Sequence, residues 1–182
     1  MPLHDVFNYF RQYDKRSFLV LACQGNEPTE ADVAAFESVV GFRLPDEFRD
    51  FTTSALGGLS MEVHEHLWPR PRPYDVGPFW SFLYGLKVFG IAEGIPDWLD
   101  IRVQYDPFKA EGFADLVPFL HRAGDADAHC FDAAGRIVRR SHEEPAQRGA
   151  ADESFSQLLM HEIREPEERK NRKLREGNTS GQ

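Results

Sequence analysis

Two histidines, His64 and His66, stand two positions apart in the short sequence HEH. Residues at this spacing on a β-strand point to the same side, so with a third ligand they could hold a metal ion. The candidate third ligands are His121, His129 and Asp132. The same sequence is also expected for two exposed histidines on the polar face of a half-buried strand. In addition, the pair lacks the i, i+4 spacing of a metalloprotease helix. We therefore expect no metal site.

A second group of residues that could bind a metal ion or act in catalysis lies around Cys130 in the sequence. Three aspartates and a glycine suggest a calcium loop, but the pattern D-x-D-x-D-G-x5-E is incomplete, and tight turns favour the same residue types. Cys130 follows His129 directly, and adjacent strand residues point to opposite faces, so these two do not form a catalytic pair. The residues of the incomplete calcium pattern are Asp125, Asp127, Asp132 and Gly135.

Longer catalytic motifs are also missing from the sequence. It contains no P-loop, no dinucleotide-binding glycine fingerprint, no nucleophile elbow and no zincin helix. An enzyme interpretation would have to rest on isolated residues. We therefore expect no enzyme activity, no catalytic residue and no cofactor.

A proline-rich segment from Trp68 to Trp80 holds the residue types that are common in protein interfaces. Its four prolines exclude a central strand or a helix interior. Two tryptophans, Tyr74 and two arginines lie within it, and stiff prolines reduce the entropy that such a loop loses on binding. The segment either binds a partner or covers the hydrophobic core as a lid, and the sequence alone leaves both interpretations open.

Length and composition indicate one domain. The chain has 182 residues, of which 41% are hydrophobic, and this is enough for a substantial core. No apolar run approaches the roughly 18 residues of a membrane helix, and the N-terminus is acidic and aromatic, unlike a signal peptide. The two cysteines, Cys23 and Cys130, are too few for a disulfide framework. We expect buried thiols, no membrane contact and a cytoplasmic location.

The net charge of −9 bears on the class of partner. Residues 161–182 are slightly basic, so the acidic excess lies in the preceding part of the chain. Affinity for phosphate backbones comes mainly from clustered Lys and Arg, which disfavours direct binding of nucleic acid. Opposite net charge accelerates encounter, which favours a basic protein partner.

Two short amphipathic helices joined by a tight corner are predicted within residues 27–59. Thr29 and Asp32 have the spacing of a capping box, and Gly41 suits the left-handed end of the first helix. Pro45 suits the first turn of the second helix. The residues expected on the buried faces are Val33, Phe36, Val39, Val40, Phe48, Phe51 and Ala55.

Apolar periodicity predicts the remaining elements. An N-terminal helix should run to about Tyr13, and residues 18–23 are a strand or a helical turn, of which we favour the strand. Pro118 indicates an edge or a bulge within its strand. Glu65 is either exposed at the end of the sheet or partly buried with a partner. Strands are expected at residues 59–67, 86–91, 99–103, 116–120, 129–131 and 136–138, with residues 106–115 as a loop.

These elements predict an α+β fold. We expect a single domain at residues 1–165, with a mostly antiparallel twisted sheet from about residue 59 to residue 140. The helix pair and a closing helix at residues 154–165 should pack against the sheet. Pro166 should end or kink that helix, and residues 166–182 should form a polar tail that is frayed or disordered.

The amino-acid sequence of the helix pair indicates a particular protein family, whereas its apolar periodicity indicates only two helices. The segments EADVAAFESVVG, FRLPDEFRDF and LGG resemble the signature of the SUKH superfamily, which joins fungal cell-wall-synthesis regulators to many bacterial immunity proteins. Further along, DLVPFLHRAGDADAHCFDAAGRIV followed by SFSQLLMHEI resembles the second half of the same pattern. The resemblance covers residues 28–163. It implies an α+β fold and, in bacterial members, the binding of a toxin, and it supplies no universal catalytic residue.

We therefore expect a non-enzymatic immunity protein that occludes the active site of a cognate toxin, such as a basic nuclease. The alternative is an intracellular regulatory adaptor without a toxin partner, and a metal-dependent hydrolase is a third hypothesis. The contact surface should be acidic and aromatic, with its residues converging at one end of the sheet. The candidate contact residues are Glu62, Glu65, Tyr74, Asp75, Trp80, Asp97 and Asp100.

Overall fold

The computed structural model of this chain describes residues 3–70, 82–143 and 148–179. Within these ranges the helices are α1 (Leu3–Gln12), α2 (Glu30–Val40), α3 (Asp46–Thr52), α4 (Ile101–Ala110) and α5 (Phe155–Thr179). The strands are β1 (Phe18–Leu21), β2 (Leu59–Val63), β3 (Gly85–Val88), β4 (Leu116–Arg122), β5 (Ala128–Asp132), β6 (Ile137–Arg140) and β7 (Arg148–Ala150). Three of the predicted contact residues, Tyr74, Asp75 and Trp80, lie outside the described residues.

The strands form one antiparallel sheet in which each strand lies beside its neighbour in sequence, in the order β1 to β7. Helices α2 and α3 come between β1 and β2, and α4 comes between β3 and β4. This arrangement confirms the predicted α+β class and the single domain with helices packed on a mostly antiparallel sheet. The sheet extends beyond the predicted limits, because β1 joins it at one edge and β7 at the other.

One face of the sheet carries the main hydrophobic core, to which α1, α2, α3 and α5 contribute buried side chains, together with Ile101 and Tyr105 of α4. An aromatic cluster lies at its centre, where the rings of Phe119 and Phe131 stack with centroids 4.0 Å apart. Phe48 from α3 and Phe155 from α5 pack edge-on against this pair. The buried aromatic rings thus join both helices to β4 and β5.

The opposite face of the sheet is covered at β4 to β6 by the α4 region. Successive strand residues point to opposite faces, so Cys130 faces away from the core that holds Phe131. Cys130 packs in a smaller buried cluster with Leu116, Ala128 and Val138, against Phe108 and Phe113. The guanidinium of Arg140 lies 4.8 Å from the ring centroid of Phe108 and 4.5 Å from that of Phe113. The α4 region is therefore held to the sheet by apolar packing and by cation–π contacts.

The predicted helix pair is confirmed as α2 and α3. Thr29 and Asp32 form both hydrogen bonds of the capping box, and Gly41 ends α2 with a φ of 85°. Two residues that we expected in the core are instead exposed: Val39 on α2, and Ala55, which lies beyond the end of α3. The apolar stripe of α2 is therefore narrower than its sequence indicated.

The prediction of a strand at residues 99–103 and a loop at residues 106–115 is wrong, because α4 occupies most of this region. The side chain of Asp100 caps the helix by accepting from the backbone N–H of Arg102. Ile101 and Tyr105 are buried four residues apart, which is the spacing of one helical face, while Val103 is exposed. The alternation of apolar residues at positions 99, 101 and 103 thus does not reflect a strand.

The other predicted strands are found close to their expected positions. The run at residues 18–23 contains β1, and the register of β4 against β5 shifts between Pro118 and Leu120, as expected for a bulge. Residues 129–131 and 136–138 pair as the predicted hairpin. Glu65 is exposed in the turn that follows β2.

The last helix differs from its prediction in length. α5 does not end at Pro166 but continues to Thr179, so most of the expected tail is helical. Lys170 on this extension is only 7% exposed, and its Nζ donates to Ser17 Oγ at 3.0 Å. Lys173 lies over the ring of Trp68, with Nζ 4.9 Å from the centroid. The extension thus contacts the start of β1 and the segment after β2.

Candidate functional site

Several polar groups in the interior have structural partners. Nε and Nη2 of Arg122 donate to the buried carboxylate of Glu162 at 2.7 and 2.5 Å. Burial lowers the pKa of His129 to about 4, so its ring is neutral at pH 7. Asp125 and Asp132 accept hydrogen bonds from backbone N–H groups of their own turns. These contacts agree with the turn chemistry that the sequence suggested for the aspartates.

The histidine pair does not belong to a metal site in the described parts of the chain. His64 and His66 follow β2, with ring centroids 5.5 Å apart. A ring nitrogen of His64 lies 3.1 Å from the carbonyl oxygen of Lys15. Across residues 3–70, 82–143 and 148–179, no group of three or more His, Cys, Asp or Glu side chains is placed to hold a metal ion.

An exposed surface lies on the sheet at β1 to β3, on the face opposite the main core. We call it the open sheet surface and define it by Leu19, Leu21, Glu62, Lys87 and Trp98. The strand register places Leu19 beside Glu62 and Leu21 beside Ser60, which in turn lies beside Lys87. Nζ of Lys87 lies 4.7 Å from the ring centroid of Trp98. The surface therefore runs continuously across three strands to the residues just before α4.

The apolar side chains of the open sheet surface are unusually exposed for their size. Leu19 is 59% exposed, and Leu21 and Trp98 are each 42% exposed. Exposed apolar side chains that lie together on a surface commonly mark a site of protein interaction. The arrangement is suited to contact with a protein rather than to chemistry on a small substrate.

Arg70 closes one end of the open sheet surface. Its Nη2 donates to the carboxylate of Glu62 at 3.2 Å and to the carbonyl of Val63 at 2.7 Å. Its guanidinium carbon lies 3.8 Å from the ring centroid of Tyr84. Glu62 is paired with Arg70, and the cation of Lys87 lies on the neighbouring strand β3. The charged residues that define the open sheet surface therefore do not make it acidic.

A family model provides the comparison that identifies the chain. The model of the SMI1 / KNR4 family (SUKH-1) matches residues 27–161, which is more than half of the sequence. The chain belongs to the SMI1/KNR4 family (SUKH-1). This result confirms the resemblance that residues 28–163 suggested. A search of curated proteins finds no match to the chain.

Membership in SUKH-1 is consistent with a role in binding proteins. The family is generally non-catalytic and includes proteins of the immunity and SMI1/KNR4-like types. In the described ranges of this SUKH-1 protein, no helix combines the length and the apolar character that crossing a membrane requires. The family match runs from just before α2 into the first two turns of α5. It includes Glu62, Lys87 and Trp98 of the open sheet surface, while Leu19 and Leu21 on β1 precede it.

Two of the acidic contact residues predicted for this SUKH-1 protein, Glu62 and Asp100, do not lie at the same end of the sheet in the described part of the chain. Glu62 lies opposite Gly85 at the start of β3, whereas Asp100 pairs with Gly90 beyond the end of β3. Five residues of extended chain separate these two glycines by about 16 Å. Asp97 is exposed near Asp100. The register thus places the two groups of carboxylates at opposite ends of β3.

The sequence did not predict several residues of the open sheet surface of this SUKH-1 protein. Leu19 and Leu21 lie in a continuous apolar run, which gave no indication that alternate side chains are exposed. Trp98 lies in a segment where only the Pro96-Asp97 turn was recognised. The presence of a tryptophan next to that turn was the signal that the sequence offered, because large aromatic residues are enriched in interfaces.

Proposed function

We propose that this chain is an immunity protein that binds a cognate bacterial toxin and neutralises it by occluding the toxin's active site. Membership in SUKH-1 over residues 27–161 carries this proposal. The exposed leucines and tryptophan of the open sheet surface support it, since apolar anchors of this kind supply much of the affinity of protein complexes. The proposed site of action is the cytoplasm, where a nuclease toxin would meet its substrate.

The proposed contact is the open sheet surface, with Trp98 as an aromatic anchor at its α4 end. The contact residues predicted from the sequence also remain proposed, and they are Glu62, Glu65, Tyr74, Asp75, Trp80, Asp97 and Asp100. A buried aromatic anchor chiefly controls the lifetime of a complex, because its removal takes away contacts that must break on dissociation. Exposed charges chiefly control the rate of association.

The decisive experiment uses the product of the gene adjacent to the one that encodes this chain. That product is expressed in cells with and without this protein, and the complex is measured by calorimetry. The proposal expects growth arrest that this protein relieves, together with binding at one-to-one stoichiometry. Toxicity that persists during co-expression would reject the immunity role, and the absence of both toxicity and a complex would favour the regulatory adaptor.

Variants locate the contact once a complex is found. Trp98→Ala should speed dissociation at least tenfold, as expected for an aromatic anchor. Leu174→Ala serves as the matched control, because Leu174 is 41% exposed but lies on α5, away from the open sheet surface. Equal dissociation rates for the two variants would show that the partner binds elsewhere.

A further inference from the structure

A groove between α2 and α4 combines an apolar floor with an acidic rim. It has a volume of about 300 Å³. At its floor the rings of Phe36 and Tyr105 meet edge-on, with centroids 6.0 Å apart. Val39, which is 63% exposed, and Ala35 continue the apolar lining along α2. The groove can therefore receive an apolar side chain.

Carboxylates flank this apolar floor. Asp32 on α2 and Asp106 on α4 line the groove and are exposed. Hydrogen bonds from the hydroxyl and backbone N–H of Thr29 hold the pKa of Asp32 below its usual value, so this carboxyl is ionised at neutral pH. A neighbouring depression, which shares Asp32, adds the carboxylates of Glu27 and Glu93.

Among the described residues that line the groove, the basic one, Arg102, is already paired. Arg102 donates through Nε to Asp100 Oδ1 at 2.8 Å and through Nη2 to Asp100 Oδ2 at 2.6 Å. This two-pronged contact neutralises the guanidinium within the chain itself. Asp32, Asp106, Glu27 and Glu93 therefore set the sign of the local potential, which is negative.

We propose that the α2–α4 groove binds a basic, apolar segment of a protein partner, in which an aliphatic or aromatic side chain stands between lysine or arginine residues. Charge complementarity selects this occupant, because the rim attracts cations and repels the phosphates of nucleic acids and anionic lipids. The inference deepens the proposed function and rests on it for the identity of the partner. It adds a second contact that is acidic, whereas the open sheet surface is mainly apolar.

Synthetic peptides test the groove without any toxin. Three peptides of twelve residues are titrated into the full-length chain labelled with ¹⁵N: one of Leu and Lys, one of Ser and Lys, and one of Leu and Glu. We expect the Leu/Lys peptide to bind at least tenfold more tightly than the other two, and its chemical-shift changes should centre on the residues lining the groove. Binding should weaken with added salt.

Matched variants distinguish binding in the groove from a general attraction of the basic peptide to an acidic protein. Asp106→Lys should weaken binding of the Leu/Lys peptide about fivefold, because it replaces an exposed attraction with a repulsion. Val39→Ser should also weaken it about fivefold, because it removes apolar surface from the groove. Glu168→Lys on α5 makes the same charge change at an exposed position away from the groove and should alter affinity less than twofold.

The outcomes distinguish this inference from the immunity role. No binding of the Leu/Lys peptide at millimolar concentration, equal binding of the Leu/Glu peptide, or equal effects of Asp106→Lys and Glu168→Lys would each overturn the groove assignment. Groove binding that follows the expected pattern supports the assignment even if the adjacent gene product proves harmless. In that case the immunity role fails and the acidic docking groove stands.

Discussion

Single aromatic residues connect the layers of this domain. Phe48 is fully buried on α3, and its ring contacts Phe131 on β5 and Phe155 on α5, with centroids 5.1 and 5.4 Å away. Three elements that are distant in sequence therefore depend on one side chain. Its removal would leave a cavity that its neighbours can fill only in part.

Phe48→Ala should lower the free energy of unfolding by about 3 to 5 kcal/mol, as large-to-small changes in a core do. The measurement is urea denaturation followed by circular dichroism. Val39→Ala is the control, since this exposed valine on α2 should change stability by no more than about 0.5 kcal/mol. Similar midpoints for Phe48→Ala and the unchanged protein would contradict the central position of this ring.

Burial of His129 makes stability depend on pH. Its pKa is lowered to about 4 in the folded protein, mainly by desolvation, whereas an unfolded histidine has a pKa near 6.5. Between these values the unfolded chain binds more protons, so stability rises with pH and is lost as the pH falls. The stability that depends on a neutral His129 is complete above about pH 6.5.

His129→Gln should reduce the loss of stability on acidification, by up to about 3 kcal/mol between pH 7 and pH 4. Urea midpoints measured at pH 7, 5.5 and 4.5 test this expectation. His4→Gln is the matched comparison, because it makes the same substitution at an exposed position on α1. An identical pH profile for both variants would mean that His129 is not the group responsible.

At the scale of elements, the extension of α5 holds together the start of β1 and the segment that follows β2. Arg169 donates to the carbonyl of Leu83 at 3.3 Å, in addition to the contacts of Lys170 and Lys173. The cation of Lys170 lies 5.0 Å from the ring centroid of Phe18. Polar residues with long aliphatic stems thus cover aromatic side chains of the core.

Deletion of residues 167–182 should therefore destabilise the protein by about 3 kcal/mol, because it removes a charge-assisted hydrogen bond and exposes Phe18 and Trp68. Differential scanning calorimetry gives the change in Tm. A shorter deletion of residues 176–182 keeps Arg169, Lys170 and Lys173 and should change Tm little. Equal Tm values for the long deletion and the full chain would show that the extension does not contribute to stability.

At the scale of the whole molecule, two surfaces differ in chemistry. The open sheet surface presents leucines and a tryptophan, and its one carboxylate, Glu62, is paired with Arg70. The α2–α4 groove presents carboxylates around an apolar floor. The net charge of −9 acts at longer range than either surface and favours encounter with a basic partner.

If the partner is basic, its association rate with this protein should fall about tenfold between 20 mM and 500 mM NaCl, while the dissociation rate changes much less. Stopped-flow fluorescence with the adjacent gene product measures both rates. Glu168→Lys, far from both surfaces, should lower the association rate only slightly at low salt. An association rate that does not respond to salt would show that electrostatic attraction does not guide the encounter.

The sequence by itself determined the elements that depend on local interactions. The capping box of Thr29 and Asp32, the glycine end of α2 and the bulge at Pro118 each depend on residues that are close in the chain, so their patterns were readable without a tertiary structure. The amino-acid sequence of residues 28–163 also indicated the family, and the match of the family model at residues 27–161 confirms it.

Only the tertiary structure decided which faces are exposed and which polar groups meet. Ser17 and Lys170 are separated by 153 positions, and no local pattern predicts that their side chains bond. Leu19 and Val39 are apolar in sequence, yet they are exposed because no described element covers them. The alternation at residues 99–103 fitted a strand, but the cap at Asp100 and the packing of that segment made it part of a helix. Exposure and long-range pairing depend on how distant segments pack, and this is a property of the folded chain as a whole.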